Sequence, residues 1–350
     1  MSRHPEPPRR VSSVLVQLRF VGLAVWSELA FAVVYFFFVH TYKGQVIDEL
    51  AYSGRYVHSD TIRVIAAARL TRISVQTVLV GIGVLVLIAM IRSRPRLAGA
   101  AATVVVGSVG TTELLKHVLL TRPEIVWLPQ GGGLHNTFPS GHATTAFALA
   151  VALVMVTSPR WRGVVGLAAG TWAVIVAMST LAAGWHRPAD AAGAYLVVTF
   201  WTSIVVLVMV RWRGYVPEVR DSRHRHLYPW PVAGLIMAGA AVFAAVAAIY
   251  PVGHVVRAVH EGSPVSPALV NDAYYGALAV LLSVGIGTFA LILLALRGVS
   301  LDPPRKAGER RDERVVDLPV AEWPADDEDP TSVGDDRWVD GTGAGELGFG

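Results

Sequence analysis

The residues that could do chemistry in this chain are two histidines, an aspartate and two basic side chains: His142, His186, Asp190, Lys116 and Arg122. His142 closes the stretch Asn136-Thr137-Phe138-Pro139-Ser140-Gly141-His142, where Pro139 and Gly141 punctuate the backbone and Ser140 is a favoured N-cap residue. An apolar run follows to about residue 157, so the pattern predicts a helix with His142 in its first turn. The unpaired N–H groups and positive dipole end of such a start hold phosphate without further charge. A histidine placed there is a proton donor.

The second piece is Gly184-Trp185-His186-Arg187-Pro188-Ala189-Asp190. Pro188 fits the first position of a helix, which puts Asp190 in the first turn and reaching back to His186. A carboxylate beside an imidazole fixes which ring nitrogen carries the proton and leaves the other bare, so His186 reads as a nucleophile. His142 would then protonate a leaving oxygen. Lys116 and Arg122 would neutralise a phosphoryl group.

The elements that must position these groups are membrane helices. The chain of 350 residues is 53% hydrophobic and only 16% charged, against about a quarter for a soluble globule. Apolar runs at 20–39, 75–90, 97–115, 141–157, 163–183, 189–210, 232–250 and 275–296 give eight spans. The expected fold is therefore all-α, a polytopic integral membrane helix bundle of about eight transmembrane helices. Glu28 falls inside the first run and reads as a protonated or paired structural residue. There is no cysteine, which removes disulfides, thiolate ligands and cysteine nucleophiles.

Three regions follow: a basic N-terminus at 1–13, a transmembrane domain at 14–298 with core motifs at 116–190, and an acidic tail at 299–350. Residues 300–350 hold 14 of the 26 acids and 6 of the 30 Lys and Arg. With no apolar periodicity, the tail is expected to be disordered. Residues 40–74 read as a long polar loop, partly helical. The arginine-rich connections around Arg92, Arg160 and Arg211 share a side with the basic N-terminus, which predicts a multi-pass cell-membrane protein with both termini cytoplasmic. Segments 40–74, 116–140, 184–189 and 251–274, and with them the site, then face outside. No nucleic-acid motif is present and no obligate protein partner is evident. The Ala, Val, Gly and Arg content suggests a GC-rich, actinobacterial-type genome.

Lys116, Arg122-Pro123, Pro139-Ser140-Gly141-His142, and Ser179 followed by His186 and Asp190 together resemble the type 2 phosphatidic acid phosphatase family, which also includes vanadium haloperoxidases. The resemblance implies His186 as nucleophile, Asp190 as its orienting partner and His142 as general acid, with Lys116, Arg122, Ser140 and Gly141 holding phosphate. It further implies a phosphohistidine intermediate and no metal or other cofactor, in agreement with the absence of clustered carboxylates in the outward loops near the motifs.

Two departures stand out. Five residues separate Lys116 from Arg122, one fewer than the family pattern, and Thr180 occupies the position of a second arginine. Arg187, Lys43 and Arg55 are the candidates to replace it, with Arg187 nearest in sequence.

The expected activity is hydrolysis of a phosphomonoester or diphosphate of a lipid, such as phosphatidate, phosphatidylglycerol phosphate or a polyprenyl diphosphate, with membrane lipids as surroundings. The alternatives are a phosphotransferase using another alcohol as acceptor and a catalytically silent lipid-phosphate binder. The same residues also have plain readings: Lys116 in a local ion pair with Glu113, Arg122 as an interfacial arginine, Ser140 as a cap and Gly141 as a turn.

Overall fold

The computed structural model describes residues 13–57, 60–126, 136–213, 216–217, 230–297 and 299–300. The N-terminal region to residue 12, His135 and the acidic tail beyond Ser300 lie outside these residues. Ten α-helices make up the described chain: α1 (Ser13–His40), α2 (Tyr42–Ser53), α3 (Asp60–Leu70), α4 (Val75–Ile91), α5 (Pro95–Leu114), α6 (Gly141–Val156), α7 (Arg162–Ala182), α8 (Pro188–Arg213), α9 (Trp230–Glu261) and α10 (Pro267–Ala295). The fold is all-α. A two-residue antiparallel pairing of Val216–Pro217 with Val299–Ser300 is the one β contact described, and it ties the first residues assigned to the tail onto the bundle.

Among the described residues, six helices are long and apolar enough to cross a membrane: α1, α5, α7, α8, α9 and α10. Two shorter apolar stretches, Gln76–Ile91 in α4 and α6, complete the eight runs. At about 1.5 Å per residue these two fall short of a hydrocarbon core of about 30 Å. Helix α6 tolerates its shortness because it packs against α4, α5, α7 and α8 rather than against lipid. Ala143, Ala146, Ala148, Ala150 and Ala152 are all buried, and such small side chains let neighbouring backbones approach. Close approach recurs on α7, where Gly166 and Gly170 lie under Leu293 and Phe289 of α10.

Two outward segments are largely helical, the first of them expected to be so in part. Within 40–74, α2 and α3 are joined by a 3₁₀ turn (Gly54–Val57) and two undescribed residues. Thr41 caps α2 by accepting the Gly44 N–H at 3.1 Å. The outward segment 251–274 is likewise mostly helix, since α9 continues through Pro251 to Glu261 and α10 starts at Pro267. Only residues 262–266 turn the chain, using Gly262 at φ +69 and Ser266 as the cap of α10. Both helices carry polar residues past the apolar span, which composition alone reads as loop.

Alternation of helix direction brings the ends of α1, α3, α5, α7 and α9 and the starts of α2, α4, α6, α8 and α10 to one end of the bundle. Lys116, Arg122, His142, His186 and Asp190 all lie at that end.

Candidate active site

Helix α5 runs into a π-helical turn (Leu115–Leu119) that carries Lys116, and the chain then extends through Arg122. Such turns are frequent at functional sites. Asn136 satisfies two carbonyls this end leaves open, donating to Lys116 O at 3.1 Å and Leu120 O at 3.0 Å. Tyr35 of α1 donates to Thr121 O at 2.9 Å. Gln45 of α2 donates to Pro123 O at 2.7 Å and accepts from Ile125 N and Val126 N. Arg122 is therefore held by a loop stapled on both sides.

The heptapeptide is anchored by Phe138, which is fully buried against Phe31 and Tyr35 of α1. A Cβ on Gly193 of α8 would lie 2.7 Å from its ring. Ser140 caps α6 as expected, its Oγ accepting the Ala143 N–H at 3.3 Å, while its own N–H donates to Asp190 O at 2.9 Å. That last bond locks the start of α6 to the start of α8.

His186 Nδ1 lies 3.3 Å from Asp190 Oδ2, a contact that favours the tautomer with its proton on Nδ1. The same oxygen accepts the Thr137 hydroxyl at 2.6 Å and the Arg187 N–H at 3.0 Å. His142 stands opposite, its ring centroid 6.2 Å from that of His186 and edge-on to Trp185 at 5.1 Å. Gly141 sits beneath the Glu113–Lys116 pair, which is 3.4 Å apart. An added Cβ would come 2.8 Å from Glu113 Oε1 and 3.4 Å from Lys116 Nζ. The ion pair expected as the plain reading of Lys116 exists, and it lies over the helix start that carries His142.

The sequence reading missed Asp48 and Glu49, and with them a cluster of carboxylates at the site. Helix α2 presents Gln45, Asp48, Glu49 and Tyr52 on one face, at helical spacing, and all four are buried. Asp48 accepts from Arg122 Nη2 at 3.1 Å and from the Ala189 N–H at 3.0 Å. Glu49 accepts from Arg187 Nε and lies 4.0 Å from Arg122. Tyr52 donates to Gly184 O, where the chain turns with φ +72. Asp48, Glu49 and Asp190 thus surround Arg122 and Arg187 as ion-pair partners. Among the described residues no three His, Asp or Glu side chains are grouped to hold a metal ion.

Burial pushes the Asp48 carboxyl up to about 6; Arg122, the Ala189 N–H and Arg187 oppose this and the charge on Asp190 adds to it. Burial also works against the charged form of Arg187, but Glu49, Asp190 and Asp48 outweigh it and push that pKa up. One donor is left over. Arg122 Nη1 has no hydrogen-bond partner among the described residues and faces the equally unpartnered Asp190 Oδ1 at 3.6 Å.

Thr180 is buried, and its hydroxyl donates to Ala177 O at 2.7 Å within its own helix. Of the three candidate replacements, Arg187 reaches the site, donating to Thr137 Oγ1 at 3.2 Å. Arg55 stacks on Tyr52 and Tyr56 and covers Gly184, and Lys43 bonds His260 at 2.8 Å.

The apolar helices and a family match over the motif region support a membrane phosphatase. Residues 97–215 match the family model of the PAP2 superfamily, and that stretch is similar to type 2 phosphatidic acid phosphatases. The match spans α5 to α8 and every motif residue from Lys116 to Asp190, while Asp48 and Glu49 lie outside it. No curated protein and no solved structure matches the chain.

Gly141→Ala tests the contact above α6. The new methyl must push aside the Glu113 carboxylate, which is half exposed and free to move, so folding is expected to survive. Lys116 is displaced with it. The expected result is a rise in KM of about tenfold, from loss of about one charge-assisted hydrogen bond, with the detergent melting temperature unchanged.

Proposed function

We propose that this phosphatase hydrolyses the phosphomonoester or diphosphate of a membrane lipid through a phosphohistidine on His186. The observation that carries the reading is the His186–Asp190 pair with the His142 ring across from it, 6.2 Å between ring centroids. His186 Nε2 attacks phosphorus as the bond to the leaving oxygen breaks, and His142 delivers its proton to that oxygen. Water then attacks the phosphohistidine, His142 takes the water's proton, and His186 is regenerated as phosphate leaves. Lys116, the N–H groups opening α6 and the spare donor of Arg122 offset the charge on the phosphoryl oxygens.

The arginine-rich connections support cytoplasmic termini and a site on the extracytoplasmic face. A site at the end of a bundle of spans meets headgroups directly, which favours lipid phosphates over soluble esters.

The test is release of inorganic phosphate by the purified protein in detergent, with chelator present, from a panel of phosphatidate, phosphatidylglycerol phosphate and polyprenyl diphosphate. Turnover of at least one substrate, inhibited by vanadate, is expected. One observation favours a second reading as a binder without turnover: Arg122 and Arg187 are already paired with carboxylates and Thr180 offers nothing to phosphate. Saturable lipid-phosphate binding with no phosphate release from any of the panel would establish that reading instead.

A further inference from the structure

The end of the bundle away from the active site carries a groove between α1 and α10. It has a volume of about 540 Å³ and is lined by Arg19, Gly22 and Trp26 of α1, Leu291 and Leu294 of α10, and Arg297 just beyond it. Arg19 reaches across the seam, its Nη1 3.4 Å from the backbone carbonyl oxygen of Arg297, and both arginines line the groove. Neither has a carboxylate partner among the described residues. Below them the walls are apolar and belong to two membrane spans. A Cβ built on Gly22 meets nothing within 4 Å, so the groove is open at its floor.

Among the described residues, charge at this end is one-sided. Arg92, Arg94, Arg96, Arg160 and Arg211 share it with Arg19 and Arg297. The described acids other than Glu28, which lies mid-span, are Asp48, Glu49, Asp60, Glu113, Glu124, Asp190, Glu261 and Asp272, and all fall at the active-site end. A slot with cationic lips and hydrocarbon walls is complementary to one kind of molecule, an amphiphile with an anionic head and acyl chains. A soluble anion would leave the walls bare, and a zwitterionic lipid would leave the guanidinium pair unbalanced.

We propose that the α1–α10 groove is a binding site for an anionic phospholipid, with its phosphate between Arg19 and Arg297 and a chain along Trp26, Leu291 and Leu294. This site is separate from the catalytic one and does not depend on the proposed reaction. Its place on α1 matters, because the far end of the same helix supplies Phe31 and Tyr35 to the packing of Phe138.

The test is native mass spectrometry of the full chain in detergent, titrated with phosphatidylglycerol or phosphatidylcholine of matched chains. Wild type is expected to retain phosphatidylglycerol at least about tenfold better, from two arginines near the membrane surface. Arg19→Gln with Arg297→Gln should bring it down to the phosphatidylcholine level. Gly22→Phe, which fills the groove without changing charge, should lower retention of both lipids and serves alone if the double variant does not fold. His186→Ala should keep the preference, and inorganic phosphate should not displace the lipid. Equal retention of the two lipids by wild type, a preference that survives Gly22→Phe, its loss in His186→Ala, or displacement by phosphate alone would each overturn the proposal.

Discussion

Replacing His186 by alanine is expected to lower phosphate release from the preferred lipid by at least about a thousandfold while leaving the protein folded. The side chain lies at the site end of the bundle, and its described polar contact is the one to Asp190. Its loss leaves Asp190 with Thr137, the Arg187 N–H and the nearby Arg122, so the carboxylate stays compensated and the helix starts stay joined through Ser140 N–H and Asp190 O. A second readout separates a nucleophile from a residue that merely shapes the site. Wild type quenched in alkali during turnover of labelled substrate should carry label, since a phosphohistidine survives base, and His186→Ala should carry none. Asp190→Asn keeps the ring but loses the group that fixes its tautomer, and should fall by about a hundredfold or more. Turnover in His186→Ala within about tenfold of wild type would remove His186 from the role of attacker.

The parts of this architecture that follow from a short-range rule were legible in the residues. Apolar runs placed eight of the helices, six of them of spanning length, Ser140 declared the start of α6, and Pro188 declared the start of α8, which set Asp190 four residues beyond His186. Helix α2 was not legible in the same way. A surface helix is normally recognised by its apolar stripe, but α2 buries a polar one, Gln45, Asp48, Glu49 and Tyr52, against a loop and two helix starts that lie far away in sequence. The spacing of those four residues was the available signal. What it could not say is that Asp48 meets Arg122 across 74 residues and Glu49 meets Arg187 across 138. For the same reason Thr180 read as a lost guanidinium, whereas the fold delivers Arg187 to Thr137 from a different register.

The second large effect is expected at Asp48, a positioning residue that touches no substrate atom in the proposed reaction. One of its oxygens accepts from Arg122 and the other from the Ala189 N–H, so a single carboxylate holds the first motif's arginine against the helix that bears Asp190. Asparagine supplies one such acceptor and turns an N–H toward the other donor. Arg122 then swings away from its site, and kcat/KM for phosphate release is expected to fall by about ten- to a hundredfold, the cost of displacing a charge by roughly 1 Å. The titration of the same carboxyl gives a second readout, of stability. The folded chain holds the Asp48 proton up to about pH 6, while in an unfolded chain that group titrates near 3.8. Between those values the folded state binds more protons, so lowering the pH through about 6 adds stability to wild type and raising it removes that contribution. The amide that replaces the carboxyl in Asp48→Asn has no such proton to bind. The difference in detergent melting temperature between wild type and Asp48→Asn is therefore expected to widen in favour of wild type as pH falls from about 7 to about 5. A gap that stays constant or narrows over that range, with kcat/KM unchanged, would show that Asp48 neither takes up that proton nor positions Arg122.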